Sequence, residues 1–300
     1  MPTKKKTVHK GILKRTKKIK TKVDIDSCSP ANQNNSTSCF TYNALVKIAK
    51  GWNSKHPEDK INISAAKTRS ALWKEIDKRL NSKCSTEWCW IEQEFVKRRG
   101  TSDLKGLFRP KMPRSWKDNK YEWLNTNDIH SVMKQYEDKY PEFKFIGPVP
   151  IDFDYEYSVG QCIVNELCHL NIKNLLKKKI TKIGIIYNLD PHDKPGSHWV
   201  SMYIDLEKKK IYFFDSYGSE PPSEVKVLVK RIQEQGEEIG MEIEYKYNST
   251  RHQFQNSECG VYSMYFITQL LEEKKTFSEI ENGSLRDEFI NSKRKYYYLA

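Results

Sequence analysis

The chain reads Asn256-Ser257-Glu258-Cys259-Gly260 directly before an apolar run over residues 261–267. The run predicts a helix that begins at Cys259 and reaches about Leu271. The unpaired N–H groups and partial positive charge at a helix N-terminus favour a thiolate, which is the nucleophilic form of cysteine. Cys259 is therefore a candidate nucleophile. The competing explanation is a buried structural cysteine, since cysteine is among the most buried residue types.

The two neighbours of Cys259 have opposite consequences for such a nucleophile. Gly260 has no side chain that would obstruct the approach of a substrate carbonyl. Glu258 would disfavour a thiolate if its carboxylate lay close to the sulfur, because like charges repel. We therefore expect the Glu258 side chain to point away from Cys259.

Upstream of the cysteine, two predicted strands carry a histidine and an acid at matching ends. His198 begins the first strand, residues 198–205, and Asp215 ends the second, residues 210–215, with a polar turn between them. This pattern predicts an antiparallel hairpin, which brings the start of one strand beside the end of the next. There the imidazole could take the thiol proton while the acid orients the ring. Taken singly, His198 fits a structural histidine and Asp215 fits a turn residue.

Three further residues complete the candidate site. Gln253 stands six residues before Cys259, and its amide together with the backbone N–H of the nucleophile could hold a developing oxyanion. Gln255 is a rival donor, and either glutamine is also typical of a solvent-facing loop. Trp199 follows His198 directly and either shields the His–Cys pair or packs beneath it.

Together these residues resemble a known group of enzymes. The order His198-Trp199, Asp215 and Gln253 six residues before Cys259-Gly260 is similar to that of the adenain and ubiquitin-like-protein-specific cysteine proteases, whereas papain-like enzymes place the cysteine first. Within that group the chain most resembles the polyprotein-processing proteases of large nucleocytoplasmic DNA viruses, the asfivirus enzyme among them. That enzyme has Asn at the position of Asp215, where Asp is commoner in the wider group. The resemblance covers about residues 120–300 and is carried by segments 147–153, 196–200, 214–222 and 251–263.

The resemblance implies an α+β fold, with helices flanking a mixed central sheet, and a thiol protease that forms an acyl-enzyme on Cys259. It further implies cleavage of viral core or capsid precursors at Gly-Gly-type sites during virion maturation. We expect the protein to act in the virion and host cytoplasm, and nothing in the sequence indicates a cofactor. The residues alone indicate only a thiol acyl hydrolase. Two alternatives stay open: a deconjugating protease for ubiquitin-like modifiers, and a non-enzymatic basic nucleoprotein.

The charge pattern divides the chain into four predicted regions. The net charge is +13, and residues 1–22 contain ten basic residues and no acidic one. Such a tail binds nucleic acid, an acidic surface or an import receptor, or is simply a solvated arm. We predict a basic disordered tail over 1–38, a helical module over 39–100, a linker over 101–119 and the catalytic domain over 120–300.

Elements predicted in the last region support the α+β class. Helical patterns cover about 127–140, 223–235 and 259–271, and strand patterns cover 143–148, 182–189, 198–205, 210–215 and 241–247. Helices interleaved with antiparallel strands indicate helices around a mixed sheet. The linker prediction rests on the glycines, prolines and scattered basic residues of 100–118.

The cysteines suggest a reducing compartment. There are seven, and neither an apolar signal-peptide core nor a membrane-spanning apolar run accompanies them. We therefore expect reduced thiols, with Cys162 and Cys168 in the core. Cys84 and Cys89 lack the tight spacing of zinc ligands, and we interpret His192, near Asp190 and Asp193, as part of a turn rather than a metal site. The oligomeric state is not indicated.

Overall fold

The computed structural model describes residues 27–32, 38–98, 100 and 102–299. The basic run over residues 1–22 lies outside these ranges, so its binding to nucleic acid or to an acidic surface stays a prediction. Among the described helices, none combines the length and apolar character needed to cross a membrane.

A five-stranded mixed sheet forms the centre of the catalytic region. Its strands are Phe143–Pro150 (β1), Lys182–Asn188 (β4), Trp199–Asp205 (β5), Lys210–Phe214 (β6) and Glu244–Tyr247 (β7), in the order β1-β4-β5-β6-β7. The three central strands are antiparallel, whereas β1 and β7 add in parallel at the edges. A separate two-stranded ribbon pairs Glu156–Ser158 (β2) with Gln161–Cys162 (β3).

Helices cover both faces of this sheet, which confirms the predicted α+β class. Helices Thr126–Lys139 (α6) and Cys259–Leu271 (α10) pack on one face, against side chains such as Trp199 and Phe214. Ser223–Glu237 (α9) and the region of Ile172–Lys177 (α8) pack on the other. Both faces of the central strands are buried, so these strands are apolar on both sides. The remaining helices of this region are Asn165–Cys168 (α7), Phe277–Glu281 (α11), Asp287–Ser292 (α12) and Arg294–Tyr297 (α13).

The predicted helical module has its own apolar core. Its helices are Tyr42–Lys55 (α1), Arg69–Leu80 (α2), Glu87–Ile91 (α3), Glu94–Lys97 (α4) and Ser102–Lys105 (α5). Threonine side chains cap α1, α2 and α3 by accepting backbone N–H groups. The Glu87 carboxylate lies buried in this core and accepts hydrogen bonds from Ser38 Oγ, Cys39 N and Trp73 Nε1.

The predicted tail and linker boundaries need correction. Residues 27–32 were assigned to the tail, but Cys28 and Ala31 are buried, and Ser29 N donates to Leu107 O at 2.9 Å. The segment 101–119 was assigned to a linker, but it contains α5 and buries Phe108 and Trp116 in two different cores. In both segments a few apolar side chains, set among polar ones, are enough to hold the chain against its neighbours.

The prediction of reduced thiols is wrong for six of the seven cysteines. Disulfides join Cys28 to Cys39, Cys84 to Cys89, and Cys162 to Cys168, over Cα–Cα distances of 5.1, 5.4 and 6.3 Å. These distances fall within the range that a disulfide can bridge. The pairing arises because the fold brings the cysteines together, which spacing alone does not reveal. Cys259 is the remaining free cysteine.

Candidate active site

The hairpin β5–β6 brings His198 and Asp215 to one rim of the sheet. His198 directly precedes β5 and Asp215 directly follows β6, and the antiparallel register sets these ends side by side. His198 Nε2 lies 2.7 Å from Asp215 Oδ1, and both side chains are buried. The sequence pattern predicted this juxtaposition, and the structure contains it.

Two residues that the sequence did not single out hold this pair in place. Asn248, just after β7, accepts a hydrogen bond from Asp215 N and donates one to Asp215 O, each at 2.9 Å. Tyr217 donates its backbone N–H to Asp215 Oδ1, and its ring stacks on the His198 imidazole with centroids 4.6 Å apart. The acid is therefore fixed from a neighbouring strand end, and the imidazole is covered by an aromatic ring.

Cys259 lies close enough to the His198 ring to affect its ionisation. Burial lowers the pKa of His198, but the interactions of the ring with Asp215 and Cys259 outweigh it and raise the pKa to about 9. Conversely, burial raises the pKa of Asp215, but its hydrogen bond to His198 and the imidazolium charge bring that pKa below its usual value. Since Asp215 bonds to Nε2, Nδ1 is the ring nitrogen left for the sulfur. Such a chain of acid, imidazole and thiol can form a thiolate–imidazolium pair.

Cys259 is the first residue of α10, as the apolar run predicted, and is 2 % exposed. Helix α10 lies against β5, where Ser263 Oγ donates to Trp199 O. Within the described ranges no hydrogen bond pairs the Cys259 backbone N–H with an acceptor, as is usual for the first N–H groups of a helix. The orphan N–H groups of a helix N-terminus favour an anion at this position.

The contacts around Gly260 indicate a packing role, whereas the sequence suggested that it leaves room for a substrate carbonyl. A Cβ at this position would lie 3.1 Å from Leu124 side-chain atoms and 3.2 Å from Trp199 Cδ1. The glycine thus allows the start of α10 to approach the tryptophan closely. Room for a substrate carbonyl is not the constraint that these contacts indicate.

Gln253 is fully buried and its amide is oriented from both ends. Its Oε1 accepts a hydrogen bond from Ser216 Oγ at 2.7 Å, and its Nε2 donates to Gln255 O and, at 3.4 Å, to Tyr217 Oη. Gln255, the rival donor, has an exposed side chain and takes part through its backbone carbonyl. The structure therefore brings Gln253, and not the side chain of Gln255, into the buried hydrogen-bond network beside Tyr217.

Glu258 points away from the candidate nucleophile, as expected. Its buried carboxylate accepts hydrogen bonds from Arg294 Nε at 2.9 Å and Asn291 Nδ2 at 2.8 Å. The Arg294 guanidinium also lies over the Trp116 ring, 4.6 Å from its centroid. The negative charge next to Cys259 is thus neutralised by a cation from the C-terminal helix α13.

Trp199 packs beneath the site and also lines a cleft beside it. Its indole Nε1 donates to Leu124 O at 2.9 Å, and its ring is largely buried. The cleft has a volume of about 520 Å³ and reaches His198 and Trp199 from between the segments 123–126, 148–150 and 190–197. The contacts of this tryptophan correspond to the packing interpretation, and shielding of the His–Cys pair stays a prediction.

His192 lies in the wall of the same cleft. Its Nδ1 is 2.6 Å from Asp152 Oδ2, and its ring stacks on Tyr155. Asp190 instead accepts a hydrogen bond from Ser197 Oγ at 2.7 Å. The contacts of this loop are thus hydrogen bonds and ring stacking that stabilise the rim of the cleft.

Comparison with known proteins identifies several relatives of this chain. The family described as "Ulp1 protease family, C-terminal catalytic domain" matches residues 122–300. A putative thiol protease of Acanthamoeba polyphaga mimivirus is 35 % identical over 291 residues, which covers 90 % of this chain and 92 % of the relative. A cysteine protease of African swine fever virus is 25 % identical over 235 residues, covering 73 % and 84 %. The same protein from another isolate carries the name SUMO-1 cysteine protease, at 24 % identity over the same shares.

A solved structure shows the same fold. The crystal structure of the African swine fever virus protease superimposes with a TM-score of 0.61 and 18 % identity, over 92 % of this chain and 97 % of that one. The likeness therefore includes the N-terminal helical module as well as the catalytic region.

Proposed function

Since this chain belongs to the Ulp1 protease family and is a cysteine protease, we propose that it cleaves viral structural precursors at Gly-Gly-type sites during virion maturation. The proposed catalytic residues are Cys259 as nucleophile, His198 as acid and base, and Asp215 as the group that orients His198. Gln253 and the backbone N–H of Cys259 form the proposed oxyanion hole. The proposed places of action are the virion and the host cytoplasm.

One observation carries the proposed mechanism: the buried His198 ring hydrogen-bonds to Asp215 and also lies close enough to Cys259 for that residue to raise its pKa. A single imidazole between an acid and a thiol at a helix N-terminus is the arrangement that a thiol nucleophile requires. If Cys259 and His198 had only structural roles, nothing would require their side chains to lie next to each other.

The reaction then proceeds in two balanced halves. The Cys259 thiolate adds to the scissile carbonyl carbon, and the oxyanion accepts hydrogen bonds from Cys259 N–H and Gln253 Nε2. As the C–N bond breaks, the His198 imidazolium gives its proton to the leaving amine, and a thioester remains on the sulfur. His198 next takes a proton from water, and the resulting hydroxide equivalent adds to the thioester. The second oxyanion collapses, the C–S bond breaks, and the peptide acid leaves with the thiolate restored.

The cleft beside His198 supports the proposed preference for residues without side chains. Bulky side chains are among the groups that line it, namely Trp123, Leu124 and Trp199. Glycine would let an extended peptide pass these walls with its carbonyl near the sulfur, since only glycine lacks a Cβ. The choice of Gly-Gly sites otherwise rests on the resemblance to viral precursor-processing proteases.

The direct test uses a Gly-Gly peptide that carries an electrophilic warhead, with the adduct mapped by mass spectrometry. We expect one adduct, on Cys259, and none on a Cys259→Ser variant that folds normally. Because the six other cysteines are paired, labelling of a second site would be conspicuous. An adduct elsewhere, or no adduct at all, would remove the proposed mechanism.

A second candidate function is release of a ubiquitin-like modifier from a conjugate. The relative named SUMO-1 cysteine protease favours this function. Both functions use the same catalytic residues, so the substrate separates them. An unfolded precursor fragment containing Gly-Gly-X should be cut internally under the first proposal. Faster cleavage of a folded modifier conjugate, with the precursor left intact, would favour the second. Binding of nucleic acid or an acidic surface by residues 1–22 is a separate proposal, tested by its salt dependence.

A further inference from the structure

Asp287, far along the chain from the candidate site, holds the loop that carries Gln253. This first residue of α12 is buried, and its Oδ2 accepts hydrogen bonds from Phe254 N at 2.9 Å and Gln255 N at 3.0 Å. Its Oδ1 accepts one from Tyr262 Oη at 3.1 Å. The carboxylate therefore fastens two consecutive peptide groups of the loop to α10.

The hydrogen bonds of Asp287 also affect the orientation of the Gln253 side chain, because both residues contact the backbone of Gln255. Gln253 Nε2 donates to Gln255 O, so the direction of the amide depends on where residue 255 is held. Asp287 sets that position, since it binds the N–H of the same residue. The hydroxyl of Tyr262, one turn after Cys259, also lies 3.1 Å from His252 O and 2.8 Å from Leu285 O, so its single proton is shared among the three acceptors. The loop that carries Gln253, the helix α10 and the start of α12 are thus joined by hydrogen bonds around the buried Tyr262 hydroxyl.

We propose that Asp287 is a positioning residue that sets the oxyanion-binding geometry of Gln253 through the backbone of residues 254–255. This inference rests on the proposed function and adds a residue that touches neither the substrate nor the reacting atoms. Charge makes the carboxylate suited to this role, because hydrogen bonds from backbone N–H groups to an ionised acceptor are roughly twice as strong as neutral ones. A shift of about 1 Å in a catalytic donor is enough to cost about 100-fold in rate.

The test compares Asp287→Ala with Asp287→Asn and with a control, Glu288→Ala. Alanine removes both acceptors, whereas asparagine retains one oxygen that can accept the two N–H groups. We expect kcat on a hydrolysed peptide or ester to fall roughly 10- to 100-fold in Asp287→Ala with KM little changed. Asp287→Asn should recover most of that loss. The exposed neighbour Glu288 should give no change.

Two further readouts separate positioning from a general structural defect. Alkylation of Cys259 by iodoacetamide forms no oxyanion, so its rate should stay within about twofold in Asp287→Ala, whereas a disordered site would slow both reactions. In a Gln253→Ala background, Asp287→Ala should cost almost nothing more, because the two residues act as one unit. Equal losses of kcat and alkylation, or full additivity with Gln253→Ala, would overturn the inference.

An unchanged kcat in Asp287→Ala would overturn it as well, with the proposed function still standing. A wild-type protein that reacted with iodoacetamide yet turned over no peptide or ester would instead contradict the proposed function, and the inference with it.

Discussion

The two halves of the candidate site are held in place by different means. His198 and Asp215 sit at the ends of adjacent strands, and the register of the β5–β6 hairpin fixes their separation. Gln253 and Cys259 sit on a loop and a helix start, and side chains from α12 and α13 fix that loop. We call these the sheet half and the loop half of the site.

The two halves differ in what fixes the positions of their side chains. In the sheet half, backbone pairing between strands that are adjacent in the sequence places the two side chains. In the loop half, contacts such as Arg294 with Glu258 join residues separated by 36 positions. The loop half should therefore fail when distant residues such as Asp287 or Arg294 are changed, whereas the sheet half depends mainly on its hairpin, with Asn248 as a distant support of Asp215.

The largest expected effect comes from removing the imidazole of the sheet half. His198→Ala should lower kcat/KM by roughly 1,000- to 10,000-fold, because it removes both the thiolate partner and the acid for the leaving amine. Steady-state kinetics would measure this loss, and circular dichroism would verify the fold. The control is His169→Ala, whose exposed side chain contacts only the carbonyl of Asn165. Comparable activity of the two variants would refute a catalytic role for His198.

A distant change in the loop half should have its main effect on stability. Arg294→Met leaves the buried Glu258 carboxylate without its cation, which should lower the free energy of unfolding by about 3–5 kcal/mol. Urea denaturation followed by tryptophan fluorescence would measure it. The double variant Glu258→Gln/Arg294→Met should regain much of the lost stability, because no unpaired charge then remains. If the double variant were less stable than Arg294→Met, the ion pair would not be the cause.

The two glutamines of the loop half make a matched comparison. Gln253→Ala should lower kcat by roughly 100- to 1,000-fold with KM nearly unchanged, because one oxyanion donor is lost. Gln255→Ala should have little effect, since the exposed side chain contributes only its backbone carbonyl to the network. The opposite result would assign the oxyanion donor to Gln255.

The pH dependence provides a smaller but sharper test of the sheet half. The imidazolium of His198 is present below its pKa of about 9, so activity should fall as pH rises through that value. Asp215→Asn removes the charge that helps to raise this pKa and should move the alkaline limb of the kcat/KM profile to lower pH. At about pH 8 the rate should then drop roughly twofold for a shift of about one pKa unit, because the imidazolium fraction falls from about 0.9 to about 0.5. An alkaline limb that did not move would contradict the assigned role of Asp215.

The same linkage predicts how stability depends on pH. A raised His198 pKa contributes stability that is complete below its ordinary value of 6.5 and is lost as pH rises through about 9. The unfolding midpoint of the wild type should therefore fall across this window more steeply than that of His198→Ala.

Much of the sheet half could be predicted from the sequence because its signals are local. Short apolar runs rich in β-branched and aromatic residues predict the strands, and the polar turn between two of them predicts their antiparallel pairing. The helix at Cys259 followed from the apolar run alone. Boundaries were less well predicted: α6 begins at Thr126 and is capped by Asn125, whose side chain accepts the N–H of Asn127 and Asp128, whereas the sequence pattern placed its start at about residue 127.

The rest required contacts between distant parts of the chain. Asp287 and Arg294 look like ordinary charged residues of a polar C-terminal segment, and only the fold buries them against the nucleophile loop. Asn248 and Tyr217 likewise belong to no sequence motif that predicts their contacts with Asp215 and His198. The disulfide pairs and the packing of residues 27–32 could not be predicted either, because neither the periodicity nor the charge of the sequence specifies which segments come into contact.

The central claim is that the sulfur of Cys259 and the ring of His198 form one interacting pair, and NMR titration of the His198 ring tests it most directly. In the wild type, the imidazole should titrate near pH 9, because Asp215 and Cys259 both stabilise its charged form. In Cys259→Ser, where the hydroxyl stays neutral, the same resonance should titrate at clearly lower pH. An imidazole that titrates near its ordinary value of 6.5 in both proteins would contradict the account.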